Sequence, residues 1–263
     1  MKLFKHALVA LSFLSTSAVA IECDARFNYG VVTSPNQLRF LEHGRTYIQI
    51  NNANQLFIGG REIELNDEQR VLLSQYTQGI QSQVQGVVSI AVESVDIGLK
   101  AVNKVVGSLT GENSDSHQKI QKKFDALQWR HRKRFNHSDK SYYVAPQDFD
   151  DFDEIFSGEF EEELKEILTQ SLGTILVAVG QAMSDRSEGN SEARANTLDE
   201  RMDSLSKDLE VEITSRAKAL ENKANQFCSG LEELNAIEEQ LKITIPSLNN
   251  FELIEFVKHS SKE

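Results

Sequence analysis

Only two cysteines occur in this chain, Cys23 and Cys228, and neither belongs to a C-x-x-C motif, which sets aside a dithiol redox centre. In an oxidising compartment a lone pair most simply forms a disulfide, two free thiols being the alternative. Closing a loop of about 200 residues would stabilise the fold by roughly 5 kcal/mol in the chain-entropy model. Proline is almost as rare. After Pro35 none intervenes before Pro146, so nothing in between forbids a very long helix. Nucleophile motifs are missing too: there is no G-x-S-x-G, and no Ser or Cys has an evident His and acid partner. Beyond residue 20 the histidines are His43, His117, His131, His137 and His259, and none has H-x-x-x-H or H-E-x-x-H spacing. His131 and His137 lie in or beside a basic run that would repel a cation, which argues against zinc. The acidic cluster at Asp148, Asp150, Asp151, Asp153 and Glu154 has Phe152 where a calcium loop needs a ligand, and it lacks the turn glycine. No cofactor is expected.

Positive charge is in short supply. The formal charge is −12, with 28 Lys and Arg against 40 Asp and Glu. Such a surface repels phosphate backbones and anionic lipid, so nucleic acid is a poor default partner. Long apolar runs are absent from the body of the chain. "SLGTILVAVGQAM" (171–183) falls short of the roughly 20 residues that cross a bilayer. "VVSIAVESVDIGLKAV" (87–102) carries Glu93, Asp96 and Lys100, which are costly in lipid. No integral span is expected.

The first twenty residues have the design of a secretory signal. Lys2, Lys5 and His6 precede the apolar run "ALVALSFLSTSAVA", and Ala18-Val19-Ala20 offers small residues for cleavage after Ala20. Glu22 before Cys23 argues against a lipoprotein signal. Loss of Lys2 and Lys5 would take the charge from −12 to −14.

Residues 21–66 read as a β-meander. The runs "RFNYGVVT", "QLRFLE", "TYIQINN", "QLFIGG" and "REIEL" are separated by turn signals at Pro35-Asn36, His43-Gly44, Asn51-Asn52 and Gly59-Gly60. In "REIEL" Ile63 and Leu65 face one way, Glu62 and Glu64 the other. A sheet this small needs a helix over its apolar face. "NDEQ" supplies the helix start: Asn66 caps, Asp67 and Glu68 suit the positive end of the dipole, and Gln69 completes a capping box.

Residues 67–242 read as a bundle of long antiparallel helices. Leu72, Leu73, Tyr76, Ile80, Val84, Val87, Val88, Ala91, Val95, Leu99, Val102 and Val106 recur at helical spacing and predict one helix over 67–108, with Gly79 or Gly86 as the place for any kink. A basic helix over 117–135 follows, its thin stripe made of Ile120, Phe124, Leu127 and Trp129, and "NHSDKSYYVAP" reads as a loop. From Pro146 an amphipathic helix carries Phe149, Phe152, Phe156 and Phe160 with acids opposite, and its second half is apolar nearly all round, implying burial on several sides. A near-heptad pattern spans 192–242, with Gly230 able to divide it, and it permits a homodimer. The tail, 243–263, is expected to return a strand or helical turn to the sheet. The fold class is therefore α+β, mainly α.

"LFIGGREIEL" followed by "NDEQRVLLSQY" resembles the YggN-like family of secreted Gram-negative proteins. Its members share a signal peptide, an early cysteine, a G-x-x-hydrophobic-x-Leu strand, a glutamine at the helix start and a tyrosine in its second turn. The matching positions here are Cys23, Gly60, Ile63, Leu65, Gln69 and Tyr76. The helical remainder and the late "FELIEF" are also similar, so the likeness spans most of the chain. It implies a periplasmic protein and carries over no catalytic residue.

Three functional readings result. The leading one is a non-catalytic periplasmic module that binds a protein or envelope component. Its candidate patch is Lys122, Lys123, Arg130, Arg132, Lys133 and Arg134, which either pairs internally with the acids of 148–166 or receives an acidic partner or polyanion. The second is a carrier or chaperone for a lipid or unfolded client, with an apolar groove at Val88, Val95, Leu172, Ile175 and Val179. The third is a hydrolase using carboxylates such as Glu64, Asp67 or Glu93.

Overall fold

A computed structural model describes residues 25–110, 114–138, 140–146, 148, 162–163, 165–169, 173, 176–177 and 191–256. The signal-like segment, Cys23 and most of the acidic helix lie outside the described residues. The chain opens with strands β1 (Ala25–Phe27), β2 (Gly30–Ser34), β3 (Gln37–Glu42), β4 (Arg45–Asn51), β5 (Gln55–Ile58) and β6 (Arg61–Ile63). Tight turns join them where backbone chemistry permits positive φ. His43 and Gly44 sit at φ 49 and 75 and Gly59 and Gly60 at 56 and 79, the two-residue geometry that matches strand twist, while Asn52 and Ala53 at 50 and 58 belong to a three-residue turn.

Among the described residues the helices α1 (Asp67–Thr110), α2 (Asp115–Phe135) and α3 (Ser191–Thr244) follow. The capping box forms as expected. Gln69 N–H donates to Asn66 Oδ1 at 2.8 Å, and Asn66 N–H donates to Gln69 Oε1 at 2.9 Å. Ser114 caps α2 by accepting from His117 N–H at 3.1 Å. At about 1.5 Å per residue, α1 is about 66 Å long and α3 about 81 Å.

α1 and α3 run antiparallel. Lys104 meets Glu212 and Glu93 meets Lys223, while Tyr76 meets Glu238 and Gln69 Nε2 donates to Thr244 O at 2.6 Å. Neither helix breaks at glycine. A β-carbon on Gly79 would collide with Leu234, and one on Gly230 with Gln83. These glycines are where the two helices approach closely, which is why α3 passes Gly230 unbroken.

The stretch 136–146, expected as loop, instead contributes β7 (Asn136–Ser138) and β8 (Ser141–Val144). β8 pairs antiparallel with β2, Val31 opposite Val144, and the seven-stranded sheet runs β6-β5-β4-β3-β2-β8-β7. "RFNYGVVT" is two strands rather than one, because the chain leaves one sheet for another at Asn28-Tyr29. The tail does return, through a 3-10 turn (Pro246–Leu248) to β9 (Ile254–Phe256), yet β9 pairs with β1 in a separate two-stranded sheet.

One apolar core joins Leu38, Phe40, Ile48, Ile50 and Leu56 of the meander to Leu73, Tyr76 and Ile80 of α1, Leu231, Leu234 and Leu241 of α3, and Leu248, Phe251 and Leu253 of the tail. A second core, farther along α1, gathers Val95, Leu99, Val106, Ile120, Phe124, Leu127 and Ile167. Trp129, expected in the α2 stripe, is exposed (61%), with Lys133 Nζ 5.8 Å from its ring centre. The apolar run 171–183 was expected to be buried on several sides, but its described members Leu176 and Val177 are exposed at 69% and 59%.

Candidate binding cleft at the sheet end

Where the two sheets meet, Asn28, Tyr29, Gly30, Leu41, Glu42, His43, Gly44, Tyr143, Pro146, Asn250 and Glu252 line an open, mainly polar cleft of about 570 Å3. Local chemistry builds each wall. The β3–β4 turn carries Glu42 and His43 on one side. β8 brings Tyr143, whose ring reaches within 3.5 Å of the β-carbon position that Gly30 leaves empty. The tail forms the opposite side and is locked by Asn28, whose N–H donates to Leu253 O at 3.0 Å and whose Nδ2 donates to Glu252 O at 3.1 Å.

Tyr29 stacks on Tyr47 with ring centres 5.8 Å apart and planes at 11°. It also contacts Phe251, which contacts Phe40, which in turn contacts Tyr76, at 5.1, 5.1 and 6.2 Å between centres. Burial raises the Tyr29 hydroxyl above its usual range, and the charges of Glu42, Tyr47, Glu238 and Glu252 add to the rise.

Behind this wall lies a buried acid. Glu238 of α3 is 1% exposed and sits between Leu234 and Leu241 on the seam facing α1 and the sheet. Tyr76 OH donates to Glu238 Oε2, and Leu253 N–H donates to Oε1 at 2.7 Å. Burial lifts its carboxyl from 4.5 to about 7, opposed by the hydrogen bonds from Tyr76 and the N–H groups of Leu253 and Ile254 and by the charge of Lys242. Tyr76 is raised well above its usual range by its own burial and by Glu238. The acid thereby ties the tail to both long helices.

The residues singled out from sequence are dispersed. Arg130 pairs with Glu163 at 2.6 Å, Arg132 with Asp96 at 2.9 Å and Arg134 with Asp148 at 2.8 Å. Asp148, 5% exposed, also accepts from Ala145 N–H at 2.8 Å. Lys122 and Lys133 are exposed on α2, and Lys123 is half-buried. Val88 and Val95 are buried in two separate cores, at 7% and 2% exposure. Leu172, Ile175 and Val179 lie outside the described residues. Cys228 is half-buried against the main core, and its expected partner Cys23 is outside the described residues. Glu64 and Asp67 are exposed at the start of α1, while Glu93, about 39 Å farther along that helix, pairs with Lys223. The structure does not bring those three carboxylates together.

Sequence reasoning missed both the cleft and Glu238. A signal for Glu238 was present: it occupies an apolar-seam position, four residues after Leu234 and three before Leu241. Nothing local marks the cleft, since its walls come from four distant segments. Among the described residues no group of His, Cys, Asp and Glu is placed to hold a metal ion, and no helix is long and apolar enough to cross a membrane.

Fold and cleft define a small antiparallel sheet mounted at one end of a long helical pair. The chain belongs to the family described as "Protein of unknown function (DUF2884)", whose model matches residues 23–254. No curated protein and no solved structure matches it.

Proposed function

We propose that the chain is a non-catalytic module of the bacterial periplasm that binds a protein or envelope component at its sheet end. The observation that carries this reading is the open cleft held at the tip of helices long enough to present it at a distance from their far ends. Export is supported by the basic start, the apolar run and Ala18-Val19-Ala20, and by the YggN-like features at Cys23, Gly60, Ile63, Leu65, Gln69 and Tyr76. A Cys23–Cys228 disulfide belongs to the same proposal. It is supported by Ala25 and Phe27, just after Cys23, which share a core with Ala224 and Phe227, just before Cys228. The carrier reading finds no support at Val88 and Val95, which are packed solid. A homodimer through residues 192–242 is favoured by one observation, the 72% exposure of Val211 on α3.

The test is site-specific photo-crosslinking in the native envelope, with the reactive residue at His43 on the cleft rim, at Lys122 on α2 or at Val211 on α3. A discrete adduct from His43 supports the proposal, and self-adducts from Val211 establish the dimer. No adduct above background at any of the three positions overturns it.

A further inference from the structure

We infer that the cleft between the two sheets recognises an organic cation, a primary ammonium group carried on an aliphatic stem. The inference rests on the reading above that the sheet end is the binding end, and it names the chemistry bound there.

Four observations converge. The cleft is roomy enough, at about 570 Å3, for a short aliphatic chain. Two of its lining residues, Glu42 and Glu252, are carboxylates from the β3–β4 turn and the tail, and among the described residues neither takes part in an ion pair, the charge of Lys242 acting on Glu252 without a direct bridge. Arg45 is the cross-strand partner of Glu42 in register, yet no ion pair joins them. Among the described lining residues His43 alone can carry positive charge, so an anion would meet repulsion and an ammonium group attraction.

The rest of the lining suits the stem of such a ligand. Tyr29, Tyr143, Leu41 and Pro146 offer apolar and aromatic surface, and aromatic rings favour a nearby cation. Asn28 and Asn250 add amide oxygens that accept hydrogen bonds from an ammonium group, which is a donor alone. The wall bearing Glu252 is held before any ligand arrives, by the two hydrogen bonds from Asn28 and by Glu238 gripping Leu253 N–H from behind. These bonds fix the backbone that carries Glu252, so that part of the wall needs no ordering when a ligand binds. Both acids act electrostatically on the Tyr29 hydroxyl, so their fields overlap inside the cleft.

The same chemistry has two sources, a free polyamine and a lysine side chain of a protein. Titration calorimetry of the purified chain with spermidine, and separately with a blocked lysine tripeptide, separates them. Saturable binding of either probe is expected, and the tighter one identifies the source. The double variant Glu42→Gln/Glu252→Gln should weaken that binding at least about tenfold, equivalent to about 1.4 kcal/mol. The control Glu232→Gln/Glu233→Gln removes the same charge from exposed positions on α3 and should change it less than about twofold. Equal weakening by both pairs means diffuse attraction to an acidic chain and overturns the inference, as does failure of both probes to bind. Retained native circular dichroism of the cleft variant excludes a folding defect. An envelope adduct through His43 with neither probe bound would sink the cation alone. Probe binding without any adduct would sink the envelope partner alone.

Discussion

Replacing Glu238 by glutamine tests how the tail is held. The carboxyl is buried among Tyr76, Leu253 and Ile254, and its pKa rises from 4.5 to about 7 on folding. A carboxyl that binds its proton more tightly when folded contributes stability below the unfolded value and loses it as pH rises through the folded one. The slope is about 1.4 kcal/mol per pH unit, so over this window the wild-type chain should lose about 3 kcal/mol between roughly pH 4.5 and pH 7 and then level off. Glutamine has nearly the shape of the protonated acid. Its oxygen can accept from Leu253 N–H and its amide can donate to the Tyr76 oxygen, so the variant should lack that slope. Other carboxylates titrate in both proteins and cancel in the difference, while Tyr29, Tyr76 and Lys242 are raised and fall above the window. Urea unfolding at about pH 5 and about pH 8 should therefore show the variant gaining roughly 2–3 kcal/mol on the wild type as pH rises. A difference independent of pH would refute the buried-acid account. Tyr76→Phe removes a hydrogen bond that lowers the Glu238 pKa and should move the transition to higher pH.

Other perturbations follow from packing and capping. Gly79→Ala drives a β-carbon into Leu234 and should cost about 1 kcal/mol net, overpacking outweighing the gain in helix propensity. Gly86→Ala on the same helix meets nothing within 4 Å and should stabilise by about 0.5–1 kcal/mol; opposite signs in thermal melts are expected. Asn66→Ala should cost about 1 kcal/mol by breaking the capping box, read as a lower urea midpoint at unchanged slope. Phe40→Ala removes the ring between Phe251 and Tyr76, with a loss of about 3–5 kcal/mol by the same unfolding assay.

What the residues determined unaided was local. Asn66 and Gln69 cap because each side chain reaches the other's backbone N–H three positions away, and Gly44, Gly59 and Gly60 turn because a residue without a side chain tolerates positive φ. The spacing of Leu73, Tyr76, Ile80 and Val84 marks one helix face whatever it packs against. Each of these depends on neighbours within a few positions. What only the tertiary structure decided involves residues far apart in the chain. Gly79 and Gly230 carry the same backbone in a kink or a close approach, and α3 lying against α1 selects the second. Tyr142, Tyr143 and Val144 become a strand because β2 offers an unpaired edge more than 100 residues earlier. Glu238 stands on the apolar seam of its helix, but only the tail folding over it, with Leu253 N–H donating to its carboxyl, closes it from water. The cleft has four authors along the chain, so the field of Glu42 and Glu252 arises only when the β3–β4 turn and the tail are brought face to face.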